Sequence, residues 1–263
     1  MPITHKILKG ALSLFFICLS MSSFAQLGKL LKKVDSNLSS NQKSGTNKNA
    51  NLLNTNLPPT NLEIQAGLKQ ALQKGLTEGV NQVSVKDGFL KNLSIKLLFP
   101  PEARKMESTL RELGFNHICD DVIESMNHSA EEASKKATPI FLSALNQMSF
   151  KDVNAVLNGK ENAATEYFQK ITSDPLRKAF RPQVDSCLNK VNANAYWTTA
   201  TTTYNKVPFV KKINTDLGDY VTSQTLNGLF FMIAQEELKI RKDFNARTSP
   251  LLKKVFGFAD TQK

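Results

Sequence analysis

Histidine and cysteine, which often serve as bases, nucleophiles and metal ligands, are scarce in this chain of 263 residues, which has three of each and one tryptophan. Nucleophilic catalysis needs a serine or cysteine beside a base. No Gly-x-Ser-x-Gly, His-Glu-x-x-His, Cys-x-x-Cys or glycine-rich phosphate loop occurs, which counts against serine hydrolases, zinc proteases, dithiol oxidoreductases and P-loop enzymes. The sequence therefore predicts no cofactor.

Long apolar runs are also lacking, and the N-terminal one is short. Lys6 and Lys9 precede an apolar stretch over residues 11–21, and Ser23 and Ala25 supply the small residues of a cleavage site. A transmembrane helix needs about 20 apolar residues. We therefore expect a signal peptide over residues 1–25, cleaved after Ala25, and an exported, periplasmic protein without a transmembrane helix.

Acidic residues are outnumbered, with 23 aspartates and glutamates against 34 lysines and arginines, a formal net charge of +11. Removal of Lys6 and Lys9 with the signal peptide leaves +9. A basic exported protein is expected to meet an envelope protein or an amphipathic or anionic envelope component. Nucleic acid is not expected as a partner. A lysine-rich surface that serves only solubility is the alternative.

The region over residues 26–60 lacks the composition of a core. It opens with a basic amphipathic segment, residues 26–34, which either contacts a membrane or docks on the body. The remainder is rich in asparagine and serine, contains no aromatic residue and ends in Pro58 and Pro59, which is typical of a disordered linker.

From Asn61 onward, apolar residues recur at helical spacing and no alternating strand pattern is present. We predict one all-α domain over residues 61–257, a C-terminal tail over 258–263, and at most one short extended segment, over 95–99. A long helix over 216–241 is expected at its centre, because residues 229–234 are apolar on every side.

Local signals divide the chain further. Gly75 and Gly79, one turn apart, indicate close helix packing. Ser149 and Asp152 resemble a capping box, Pro175 is expected to begin a new helix after Asp174, and a kink is expected at Pro182.

The cysteines and histidines that follow the predicted signal peptide allow few kinds of site. Cys119 and Cys187 either pair in an oxidising compartment or act as small buried hydrophobes. His117 and His128 are 11 positions apart, about 16 Å along a helix, so they cannot share a metal ion with ligand bonds of about 2 Å.

Among the carboxylates, Glu237 is the most suggestive. It follows the apolar run and lies one turn before Arg241, so we expect a half-buried structural ion pair, with a catalytic acid as the alternative. In the first interpretation, Glu237→Gln should cost on the order of 1 kcal/mol. Asp216 and Asp219 fall in the first turn of the central helix, where capping explains them.

Several motifs in combination resemble a bacterial family, domain-of-unknown-function family 4197. They are Asp87-Gly-Phe-Leu90, Val156-Leu-Asn-Gly159, Ala163-Ala-Thr-Glu-Tyr-Phe168, Tyr204-Asn205, Asp219-Tyr-Val-Thr222, Gly228-Leu-Phe230, Glu236-Glu237, Ile240-Arg241, Arg247 and Leu251-Leu-Lys-Lys-Val-Phe-Gly257. The resemblance implies an exported, largely helical protein of Gram-negative bacteria with no assigned activity. Gly218 stands where the family pattern leads us to expect another aspartate, which weakens any cation site at that turn.

Two hypotheses follow. The first is a non-enzymatic cell-envelope binding or interaction module, and the second is a hydrolase that uses acidic residues of the central helix. The candidate ligand- or partner-binding residues are Asp219, Tyr220, Glu237, Arg241, Asn158 and Tyr167. An apolar groove would favour the binding module, whereas a polar pocket around Glu237 would favour the hydrolase.

Overall fold

The computed structural model describes residues 58–206, 208–209 and 211–261, and all of it is helix or connecting chain. The predicted signal peptide, the segment over 26–34 and nearly all of the linker lie outside the described residues. The described helices are α1 Asn61–Ser84, α2 Arg104–Glu112, α3 Asn116–Ser134, α4 Ala137–Gln147, α5 Phe150–Leu157, α6 Ala163–Lys190, α7 Ala193–Tyr204, α8 Leu217–Lys242 and α9 Pro250–Thr261. The predicted all-α class is confirmed, with no strand in the described part of the chain.

Helix α8 is the central element, as predicted, and packs against α1, α3, α6 and α7. Leu229, Phe230 and Ile233 are buried in the core. The expectation that this run is enclosed on every side is wrong, since the Phe231 side chain is 42% exposed. The neighbouring helices leave one side of α8 open to solvent.

Helix α1 packs against α8, and at Gly79 the missing side chain lets its backbone approach that of α8. A Cβ atom at Gly79 would be 3.3 Å from the backbone nitrogen and Cα of Ile233. The predicted close packing is therefore confirmed at Gly79, whereas a Cβ atom at Gly75 would meet the side chains of Ile240 and Glu236 at ordinary contact distances of 3.6 and 3.8 Å.

Helix α6 runs unbroken for 28 residues, with Pro175 and Pro182 inside it. The prediction that Pro175 begins a new helix is wrong. Proline removes one backbone hydrogen bond, but Phe168, Leu176, Phe180, Val184 and Leu188 form one continuous buried face. Tertiary packing of that face holds the helix together across the proline.

The segment over residues 95–99, for which an extended conformation is expected, is neither helix nor strand: Ile95 ends a turn and residues 96–99 are connecting chain, to which a side chain binds as a second strand would. Asn127 Oδ1 accepts from the Leu97 backbone N–H at 2.9 Å, and Asn127 Nδ2 donates to the Leu97 carbonyl at 2.8 Å. A completely buried asparagine thus satisfies both backbone groups of Leu97.

The C-terminal end departs from the predicted tail. Helix α9 continues to Thr261, and Asp260 forms an ion pair of 2.7 Å with the buried Arg247. Arg247 also donates to the carbonyls of Ile240 and Arg241, which satisfies acceptors at the C-terminal end of α8. Residues 258–261 therefore belong to the body.

Two further points concern the described residues as a whole. Cys119 and Cys187 are free thiols, and Cys119 is buried in the core. None of the described helices combines the length and the apolar character needed to cross a bilayer.

Candidate functional site

Glu237 is the most densely hydrogen-bonded carboxylate in the described structure. Its Oε1 accepts from the Ala164 N–H at 2.9 Å and from two guanidinium nitrogens of Arg241 at 3.0 and 2.9 Å. Its Oε2 accepts from the N–H and the hydroxyl of Thr165, both at 2.8 Å. Ala164 and Thr165 lie in the first turn of α6, so Glu237 caps that helix from α8.

Arg241 extends the same contact to α5. Its Nη2 donates to the Val156 carbonyl at 2.7 Å and its Nη1 to the Leu157 carbonyl at 3.3 Å, where α5 ends. One carboxylate and one guanidinium therefore attach the α5–α6 connection to the central helix.

The pair is more buried than predicted. The side chains of Glu237 and Arg241 are each 7% exposed, so the expectation of a half-buried pair is wrong. The difference arises because α1, α5 and the start of α6 close around this end of α8. The two oxygens of Glu237 accept from five donors of the same chain, which attach the start of α6 to α8.

The space beside the pair is apolar and small. Leu72, Leu76, Phe168, Ile233 and Phe256 line a crevice of about 20 Å³, which is room for one water molecule. The crevice at Glu237 is therefore not the polar pocket that the hydrolase hypothesis needs. A polar cleft of about 300 Å³ at this end of the helix is lined by the neighbouring Glu236 and does not include Glu237.

The other predicted residues on α8 lie far from Glu237. Asp219 and Glu237 are 18 positions apart, about 27 Å along the helix. Asp219 Oδ1 accepts from Arg177 at 3.1 Å, and Tyr220 donates its hydroxyl to the Leu98 carbonyl at 2.9 Å. Burial raises the pKa of Tyr220, so this hydroxyl stays protonated and acts as a donor.

An arginine–aspartate cluster surrounds the start of α8. Arg181 donates with both terminal nitrogens to Asp216, at 3.0 Å each, and with Nε to Asp185 at 2.7 Å. Asp216 also accepts from the Asp219 N–H at 2.9 Å, which confirms its role as the cap. These bonds tie α6 to the N-terminal end of α8.

Gly218 explains why this turn lacks a further acidic residue. The position is buried, and a Cβ atom there would collide with the Asp185 carboxylate and approach Arg181 Nε to 3.1 Å. The Arg181–Asp185 pair occupies the space that an aspartate at 218 would need. No cluster of potential metal ligands forms among the described residues.

Asn158 and Tyr167 lie on either side of the α5–α6 connection. Asn158 is exposed and donates to the Asn154 carbonyl at 3.1 Å. Tyr167 is half-buried, packs edge-to-face on Phe168, and has its pKa raised by burial. The six candidate residues thus form two separate groups: Asn158 and Tyr167 lie near the Glu237–Arg241 pair, and Asp219 and Tyr220 lie at the other end of α8.

Sequence reasoning missed Glu131, a buried carboxylate on α3. Its Oε1 accepts from the backbone N–H groups of Phe89 and Leu90 at 3.1 and 3.2 Å, and its Oε2 lies 2.8 Å from His128 Nδ1. It fixes the loop that follows α1. Ile123, Asn127 and Glu131 are spaced by four residues, so helical periodicity beside the apolar face was the available signal.

His128 makes this contact dependent on pH. The hydrogen bond with Glu131 raises the pKa of His128, and Glu124, 3.2 Å from Nε2, adds to the rise. Asp87 lies close enough to interact with it. Because the folded pKa exceeds the ordinary value of about 6.5, the stabilisation is complete below that value and is lost as pH rises through the folded pKa.

We therefore predict that His128→Gln destabilises the protein more at pH 6 than at pH 9. Urea unfolding of both proteins at the two pH values measures the difference. The matched control is His117→Gln, since His117 is exposed and contacts no carboxylate among the described residues. A cost for His128→Gln that is equal at both pH values would contradict the assignment.

The fold and these contacts define an all-helical protein in which buried polar side chains of one helix satisfy the ends of others. The chain belongs to the family described as "Protein of unknown function (DUF4197)", which it matches over residues 58–257. Comparison with curated proteins and with solved structures finds no match.

Proposed function

We propose that this protein is a non-enzymatic binding module of the bacterial cell envelope, exported by its signal peptide, with an amphipathic envelope component or an envelope protein as its partner. The observation that carries the proposal is a groove between α4 and α6. It has a volume of about 380 Å³ and is open to solvent. Ligand pockets in proteins span about 300–1,000 Å³.

The lining of the groove fits an apolar chain better than a reacting group. Apolar side chains come from Pro139, Ile140, Ala144, Ile171 and Pro175, and the polar ones, Ser143, Gln147 and Thr172, carry no charge. Uncharged hydroxyl and amide groups orient a ligand by hydrogen bonds. None of the described residues that line the groove titrates near neutral pH, so none of them can serve as acid or base.

The candidate carboxylates support the same interpretation, because each already has a structural partner. Glu237 is bound by Arg241 and the first turn of α6, and Asp219 by Arg177. A general acid or base must reach the proton that it transfers. The hydrolase alternative gains no support from these positions.

Blocking the groove provides the test. Ser143 is exposed and lines the groove, so Ser143→Trp should fill it while leaving the core intact. We expect the lipid-like component recovered with wild-type protein from native envelope, identified by mass spectrometry, to fall at least tenfold for this variant. The control is Leu62→Ala, which alters a 78% exposed residue of α1. Equal recovery with Ser143→Trp, at unchanged melting temperature, would refute the groove as the binding site.

A further inference from the structure

The loop between α7 and α8 carries the most exposed large hydrophobic side chain of the described residues. Phe209 has a relative exposure of 108%, higher than that of an extended reference chain. Its φ angle is +64°, in the left-handed region that bulky residues avoid. Pro208 beside it is also exposed. None of the described residues covers this aromatic ring.

The base of the loop is fixed, so the ring projects from a defined place. Asn205 Nδ2 donates to the Ile213 carbonyl at 2.8 Å, and the Ile213 N–H donates to Asn205 Oδ1 at 2.8 Å. Trp197 Nε1 donates to the Asn214 carbonyl at 3.0 Å, which holds the returning chain along α7. Phe209 therefore lies in the chain between Asn205 and Ile213, two positions that hydrogen bonds of one asparagine hold together.

The sequence around Phe209 carries positive charges that no acidic residue of the same stretch neutralises. Lys206, Lys211 and Lys212 are exposed, and none of them forms an ion pair within the described residues. Residues 186–215 contain four lysines and no aspartate or glutamate. Elsewhere on the described surface, acidic and basic residues pair repeatedly, as Lys91 does with Asp87.

We propose that Phe209, with Lys206, Lys211 and Lys212, docks the protein on an anionic phospholipid bilayer. A projecting aromatic ring enters the boundary between headgroups and acyl chains, and lysines on flexible stems reach the phosphates around it. A bilayer surface offers many phosphates without fixed geometry, which suits three lysines that form no ion pair with the described residues. This inference rests on the proposed envelope location but uses a surface other than the α4–α6 groove.

The expected affinity is modest and depends on salt. Each lysine close to an anionic membrane strengthens binding by about fivefold, so three contribute roughly 100-fold. The attraction falls within a Debye length of about 10 Å at 0.1 M salt. Binding is therefore expected to weaken markedly as salt rises, and to be undetectable on vesicles of phosphatidylcholine alone.

Phe209→Trp in the full chain tests the insertion directly, because the native Trp197 is buried and changes little. With vesicles of phosphatidylglycerol and phosphatidylcholine, we expect the emission of the introduced indole to shift to the blue and to be quenched by brominated acyl chains. This readout reports on the loop itself, whatever the basic N-terminal segment contributes. The same vesicles mixed with wild-type protein supply the Trp197 background.

Sedimentation with the same vesicles measures affinity. We expect Lys206→Gln, Lys211→Gln and Lys212→Gln together to weaken binding about 100-fold relative to the intact loop, and Phe209→Ala to weaken it several-fold. The control Leu93→Ala changes a 91% exposed residue of another loop and should leave binding within twofold. If the basic N-terminal segment also binds the vesicles, the triple variant loses less than 100-fold in affinity. The emission shift of the Phe209→Trp variant then decides whether Phe209 inserts.

An unshifted emission of the Phe209→Trp variant on anionic vesicles would overturn the proposal. An emission shift on binding a protein partner or a soluble anionic polymer, with no shift on vesicles, would overturn it as well. Recovery of the groove ligand, measured with Ser143→Trp, is independent of these results. Failure of the loop to insert would leave the proposed function standing, and loss of groove binding would leave the loop's insertion standing.

Discussion

Glu237→Gln is expected to lower the free energy of unfolding by about 3–5 kcal/mol. The substitution leaves the Arg241 guanidinium, only 7% exposed, without its counter-charge. Five donors converge on the Glu237 carboxylate. The glutamine side chain offers these donors only one oxygen, and its NH2 group, itself a donor, cannot accept from the others. This is larger than the roughly 1 kcal/mol expected for an exposed pair, because the pair is buried.

Urea unfolding monitored by circular dichroism measures this cost. The matched control is the neighbouring Glu236→Gln, since Glu236 accepts from Gln82 and has Lys239 only at 3.8 Å. We expect the control to cost less than about 1 kcal/mol. A stable Glu237→Gln protein that no longer recovers its envelope partner would instead make Glu237 a functional residue.

A double-mutant cycle separates the pair from its surroundings. Arg241→Met removes the guanidinium and leaves the Val156 and Leu157 carbonyls without that donor. Removing both charges avoids an unpaired buried ion, so we expect the double variant to cost less than the sum of the two single variants. Additive costs would mean that the two side chains act independently.

Phe230→Ala is expected to cost roughly 3–5 kcal/mol, a large part of the stability of a typical domain. Phe230 is 4% exposed and packs edge-to-face on Phe141 with ring centroids 5.9 Å apart. Its removal leaves a cavity among α8, α4 and their neighbours that the surrounding helices fill only in part.

The adjacent residue supplies the control for this second prediction. Phe231 is 42% exposed, so Phe231→Ala removes the same atoms from the same helix with a smaller loss of burial than Phe230→Ala. We expect a cost below about 1 kcal/mol, because surface substitutions away from buried contacts change stability little, and the same denaturant titration measures it. Equal costs for the two variants would contradict the orientation of α8.

The sequence alone determined the helical class and the position of the central helix, because helical periodicity depends on residues three and four apart. It also located local signals that act within one turn. The capping box of Ser149 and Asp152 is present, with hydrogen bonds in both directions, and Asp216 caps α8 from within its own first turn.

Only the tertiary structure decided which polar residues are structural, because their partners come from distant parts of the chain. Glu237 is bonded to residues 72 and 73 positions away, and Glu131 to residues 41 and 42 positions away. Pro175 locally indicates a helix start, yet α6 passes through it because its buried face is continuous. Periodicity reports which face of a helix is apolar, but the burial of a charge and the exposure of Phe209 depend on which elements pack around them.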